Sequence, residues 1–168
     1  MEFTYESCSD LIAKAVEKQS SPDEIEKIAK EAQFKNNPLF GAMKKRIQLM
    51  AEVSVVNTAI AIFAANCSFK QEDLKPIIDG SLQLLQKYMF SIIEKNLNGF
   101  KDLYAKRMAE YYPILQEEQP GIGLSFVFLK NLHGKPKLDF EGQTKLAVRF
   151  TSNISSSVEA MQTIAKYL

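Results

Sequence analysis

VSVVNTAIAIFAANCSF, Val53 to Phe69, is a run of seventeen residues without an ionisable carboxylate or amine. Such a run can be a membrane span, the wall of a cavity, or the most buried helix of a globular domain, and the choice decides the fold. Around it, Met43, Ile47, Met50, Ser54, Asn57 and Ala61 form one helical row, and Leu49, Val53, Val56, Ile60, Phe63 and Cys67 form another. A helix apolar on nearly all sides has to be surrounded by other helices or by lipid. At about 1.5 Å per residue the run extends roughly 25 Å, short of the ~30 Å hydrocarbon core, and five of its residues are Ser, Thr or Asn. It therefore reads as a core helix, Met43 to Cys67, rather than a membrane span.

The flanking segments supply the helices that would enclose it. From Phe3 to Val16, Cys8, Leu11, Ile12, Ala15 and Val16 recur at helical spacing. Ser21, Pro22 and Glu24 mark a helix start, with Ser21 as cap, Pro22 in the first position and Glu24 completing a capping box. Ile25, Ile28, Ala29 and Ala32 are its buried stripe. A fourth helix is expected from Asp73 as cap, with Pro76 in its first turn and Ile77, Ile78, Leu82, Leu85, Met89, Ile92 and Ile93 inward, until Gly99 ends it. Phe100, Leu103, Tyr104, Met108, Tyr111 and Leu115 carry a fifth, interrupted near Pro113.

Residues 120–152 are ambiguous. Phe126, Val127 and Phe128 suit a strand pairing with the run around Leu146 to Phe150, which would make a small C-terminal sheet and an α+β fold. Pro120 before them, with Gly134 and Pro136 after, is the punctuation of a helix. Beyond them Ala147, Phe150, Ile154, Val158, Met161, Ala165 and Leu168 step by three and four, which strand alternation does not produce. The reading is all-α: one domain, 1–168, of five to seven helices around a central apolar one. Thr151 to Ser157, TSNISSS, is either a place of close helix approach or a weak face turned to solvent.

Composition narrows the chemistry. With 21 Lys and Arg against 20 Asp and Glu, the chain lacks the concentrated basic charge of a nucleic-acid binder. The two cysteines, Cys8 and Cys67, form no C-x-x-C pair and look like small hydrophobes within helices. Together with an acidic, weakly apolar N-terminus, they point to a reduced, cytoplasmic protein. The one histidine, His133, rules out His-rich zinc sites and leaves a Ser-His-Asp triad without context. No Walker A sequence, complete dinucleotide fingerprint or E-x-x-H pair occurs, so no cofactor and no metal are expected.

Several residues remain candidates. Asn57 needs partners within the apolar helix, from a backbone, from Tyr104 or Tyr111, or from a ligand. Glu52 and Asp79 border apolar faces, where a carboxylate needs a cation such as Arg46, Lys75 or Arg107, or else serves as a base. Tyr104, Arg107, Tyr111 and Tyr112 share a segment with the composition of an interface hot spot, and Lys130, His133 and Lys135 form a basic cluster beside it in sequence. These residues suggest a non-enzymatic binding or regulatory protein acting through a protein partner or as a homo-oligomer. The alternative is a small-molecule receptor with an apolar cavity along the central helix, oriented by Asn57, Tyr104 and Tyr111.

Overall fold

The structure, a computed structural model, describes residues 3–34, 42–134 and 140–168. The regular elements among them are all helical: α1 (Tyr5–Gln19), α2 (Pro22–Glu31), α3 (Ala42–Ser68), α4 (Gln71–Leu85), a π-helical turn (Gln86–Phe90), α5 (Ser91–Asn96), α6 (Phe100–Ile114), α7 (Pro120–His133) and α8 (Phe140–Ala165). Because α4, the π turn and α5 run on without a break, seven rods make the bundle. The all-α reading holds, and no strand forms among the described residues of 120–152.

In α7 the buried residues Gly121, Leu124, Ser125, Phe128, Leu129 and Leu132 follow one helical stripe. Pro120 starts the helix and Gly134, at φ 71°, closes it in the left-handed region. The Phe content that suits a strand serves helix packing instead, with Phe128 edge-on to Phe150 of α8 at 5.5 Å between centroids. Gly121 sets the closeness of this pair, since a Cβ there would lie 2.6 Å from the Ala147 carbonyl oxygen and against Thr151 Oγ1. The small-residue stretch is thus a site of close helix approach at its first residue.

α3 touches every other helix of the bundle, and Ala51 to Ala61 is buried without exception. Met43–Ser68 is long and apolar enough to cross a membrane, with a mean hydropathy of 1.7 over its most apolar window, yet 72% of that window is buried against the rest of the chain. Its two ends differ from the central pattern: Met43 is 72% exposed, and Cys67 lies at the surface while Cys8 of α1 is sealed.

Local side-chain caps set the entry of the first two helices. Thr4 caps α1 reciprocally with Ser7, whose Oγ accepts from Thr4 N at 2.8 Å. Ser21 Oγ caps α2 by accepting from Glu24 N, but the Glu24 carboxylate does not close the expected box; it bonds to Lys27 and Arg149. α4 begins at Gln71, ahead of the expected Asp73, so Pro76 falls inside the helix rather than in its first turn. Asp73 instead accepts the Tyr5 hydroxyl at 2.8 Å, tying α4 to α1.

The π turn has a steric reason. Ile77, Ser81, Leu85, Met89 and Ile93 are buried at intervals of four. Four α-helical residues rotate through about 400°, so such a stripe drifts by about 40° per step. One wider i→i+5 turn takes that drift back and keeps Met89 and Ile93 inward. It also buries Phe90, whose ring meets Phe100 at 5.4 Å and Tyr104 at 5.3 Å, and it turns Ile92, expected in the core, to 51% exposure.

Candidate functional site

The interior polar chemistry centres on Glu52, which is fully buried on α3. Its Oε1 accepts from Arg107 Nε at 2.7 Å and its Oε2 from the Tyr111 hydroxyl at 2.9 Å, both from α6. Arg107 Nη1 also reaches Glu110 Oε2 at 3.0 Å, and Asn131 Nδ2 of α7 donates to the same oxygen at 2.8 Å. Three helices are joined through this network. Burial pushes the Glu52 carboxyl above its usual range, outweighing the opposing pull of Arg107 and Tyr111. Burial likewise drives the Tyr111 phenol well up, with the Glu52 charge adding to it. A carboxylate with both oxygens bonded and no exposure is arranged as an internal counter-ion, not as a base open to substrate. Asp79, the other carboxylate of interest, stands exposed on α4.

The Tyr–Arg segment accordingly does not form one surface. Arg107 is 9% exposed and Tyr111 is enclosed, both held by Glu52. Tyr104 is half-buried against Phe90 and Phe100, and burial raises its hydroxyl to about 12. Tyr112 keeps its hydroxyl at the surface, where Asn66 Nδ2 donates to it at 2.9 Å. Lys130 is exposed on α7. His133 Nε2 lies 3.0 Å from the Ala32 carbonyl oxygen, and its ring meets Phe34 edge-on, so it fastens the end of α7 to the end of α2. Lys135 lies outside the described residues.

Asn57 finds its partners neither in Tyr104 nor in Tyr111. Its Nδ2 donates to Gln19 O at 3.0 Å and Ser20 Oγ at 3.2 Å, pinning the turn between α1 and α2 onto the core helix, while its Oδ1 is buried without a partner. The gap among Thr58, Ala61, Ala65, α1 and α4 amounts to about 10 Å³, room for one water at most.

The turn held by Asn57 forms one wall of an open trough of about 460 Å³ between α1, α2 and α8. Its floor includes Ala15, Ile28, Ala160 and Met161. Arg149 of α8 braces one side, clamping Glu31 through two bonds of 2.6 and 2.5 Å and Glu24 through one of 2.7 Å. The Glu24 carboxyl is held below its ordinary range, first by Lys27 and then by Arg149. Around this paired cluster stand side chains with no hydrogen bond or ion pair to another described residue: the Lys18 ammonium, the Gln19 and Asn153 amides, the Asp23 carboxylate and the Ser157 hydroxyl. Sequence reading did not single out Lys18, Gln19, Asp23, Arg149 or Asn153 as site residues. Arg149 and its carboxylates lie 118 and 125 positions apart, beyond any local pattern. The one signal was the polar TSNISSS stretch, which contains Asn153, Ser156 and Ser157 of the trough wall.

No group of three or more His, Cys, Asp and Glu side chains is placed to hold a metal ion among the described residues. Comparison with known proteins finds no match to this chain among family models, curated proteins or solved structures.

Proposed function

We propose that this chain is a non-enzymatic helical binding protein, an adaptor, inhibitor or regulatory subunit, and that it meets its protein partner through the trough between α1, α2 and α8. One contrast carries this reading. The interior ion cluster spends its polar groups on itself, whereas the trough presents a cation, an anion, two amides and a hydroxyl unspent beside an apolar floor. Polar groups of this variety around an apolar floor are what recognition of another molecule uses.

The receptor alternative, with an apolar chamber along α3, has about 10 Å³ to occupy beside Ala61 and Ala65. Of the polar anchors it would need, the Tyr111 hydroxyl is engaged with Glu52 and the Asn57 amide nitrogen with the α1–α2 turn. A hydrolytic or proton-transfer role for Glu52 lacks an approach to the carboxylate. The test is affinity purification from the native cell with wild-type protein and a Lys18→Glu, Asn153→Ala variant, read by quantitative mass spectrometry. A polypeptide retained by the wild type and lost by the variant is the expected result. Equal recovery by both, or a wild-type monomer that retains nothing, refutes the proposal.

A further inference from the structure

We infer that the occupant of the α1–α2–α8 trough is a short extended segment of a partner protein carrying one acidic and one basic side chain, an inference that rests on the binding function proposed above. The space is partly open to solvent and does not close over a compact molecule, so it can admit a segment of another chain.

Hydrogen-bond chemistry points to peptide backbone. Asn153 and Gln19 each offer a primary amide, with a donor and an acceptor side by side, and a peptide group presents the complementary C=O and N–H. Neither amide bonds to another described residue. Ser157 sharpens the point. On the same helix Thr144, Ser156 and Thr163 return their hydroxyls to backbone carbonyls three or four residues back. Ser157, only 8% exposed and lining the trough, has no such bond. Its hydroxyl oxygen still meets solvent in the trough, where it can bond an occupant.

The charges specify the side chains. Lys27 is 2.6 Å from Glu24, and Arg149 is consumed by Glu24 and Glu31, so the cluster in the middle of the trough is neutralised internally. Lys18 in the last turn of α1 and Asp23 in the first turn of α2 remain, and no ion pair joins them to each other or to any described residue. Two unpaired opposite charges on the two sides of one turn are complementary to a segment with an acid and a base close together.

The experiment selects a randomised eight-residue peptide library, displayed on phage, against the folded full chain. Enriched peptides are then synthesised with a fluorescent label for binding and backbone amide shift mapping. Enrichment of one acidic and one basic position, with shifts confined to 15–28 and 149–161, is expected. Lys18→Glu should weaken the selected peptides about tenfold and, on reselection, replace the acidic position with a basic one; Asp23→Lys should do the converse. Asn153→Ala should weaken binding about three- to tenfold. All three positions are at or near the surface, so unchanged far-ultraviolet circular dichroism and Tm control for folding. Peptides that bind the charge-reversed variants equally well, or whose shifts fall on another face, overturn the assignment. If no peptide is enriched while the wild type still captures a protein that the trough variant loses, the peptide inference fails and the binding function stands.

Discussion

Replacing Glu52 tests whether the buried ion cluster is held together as its geometry implies. Glu52 is fully buried and its partner Arg107 has 11% of its side chain exposed. Glu52→Ala leaves the guanidinium inside with only Glu110, itself one-third exposed, as counter-ion. Breaking a buried pair on one side costs about 3–5 kcal/mol, a large share of the roughly 5–15 kcal/mol by which a domain is stable. For a chain of this size Tm should fall by roughly 6–20 °C. Removing all the interior charge together, by Glu52→Leu with Arg107→Met and Tyr111→Phe, should return most of that loss, because apolar replacements of matching volume are often neutral or better. Urea unfolding followed by far-ultraviolet circular dichroism measures both variants. A Glu52→Ala loss below about 1 kcal/mol, or a triple variant no more stable than the single one, would refute the account. The pH dependence gives a second reading. A carboxyl whose folded pKa is raised contributes stability that is complete below its unfolded pKa and is lost as pH rises through the folded value. Wild type should therefore gain on Glu52→Gln as pH is lowered through that window.

Four further outcomes follow from other parts of the molecule. Gly121→Ala should cost about 1–3 kcal/mol, because the added methyl meets the Ala147 carbonyl oxygen at 2.6 Å; Thr151→Ala in the same chain should relieve only part of this, as seen in thermal unfolding. Glu24 has the opposite linkage sign to Glu52: its lowered pKa contributes stability above the unfolded value that is lost as pH falls below about 4.5, so hydrogen exchange of α2 should accelerate on acidification in wild type and respond less in Glu24→Gln. Asn57→Ala removes both bonds to the α1–α2 turn and should cost about 1–3 kcal/mol, with faster exchange at Gln19 and Ser20. Deleting one residue within Gln86–Phe90 should convert the π turn to α-helix and, because the wide turn holds one residue more than an α turn, leave α5 in the same rotation with Ile93 inward and Ile92 outward; hydrogen exchange and side-chain labelling that found Ile92 covered and Ile93 exposed would count against the packing reason given for the turn.

Elements whose periodicity repeats over several turns were legible from the sequence, as the central run shows: two apolar rows on one helix require neighbours on all sides, and α3 has them. Punctuation settled α7, where Pro120 and Gly134 outweighed strand-like composition. The start of α4 was misread because Asp73 resembles a cap, while its carboxylate is committed to Tyr5, 68 positions away. The four-residue intervals from Ile77 to Ile93 did contain the warning of a π turn, and following them would have placed Ile92 outside. The site was less legible. Glu52 with Arg107 lay among the pairings that charge burial demanded, but the same bond withdrew Arg107 and Tyr111 from any outer face. The trough depends on Arg149 drawing α2 onto α8, a contact across most of the chain that leaves no local trace.

The unequal burial of the two thiols equips the protein with its own chronometer. Cys67 is open to a thiol reagent in the native state, so it accepts a single tag without disturbing the core. Cys8 is fully covered, and burial raises its thiol pKa, which makes its thiolate scarce as well as shielded. Its alkylation must wait for α1 to come away, and the rate counts those openings. Since the last turn of α1 is also a wall of the trough, anything that lodges there should slow the count.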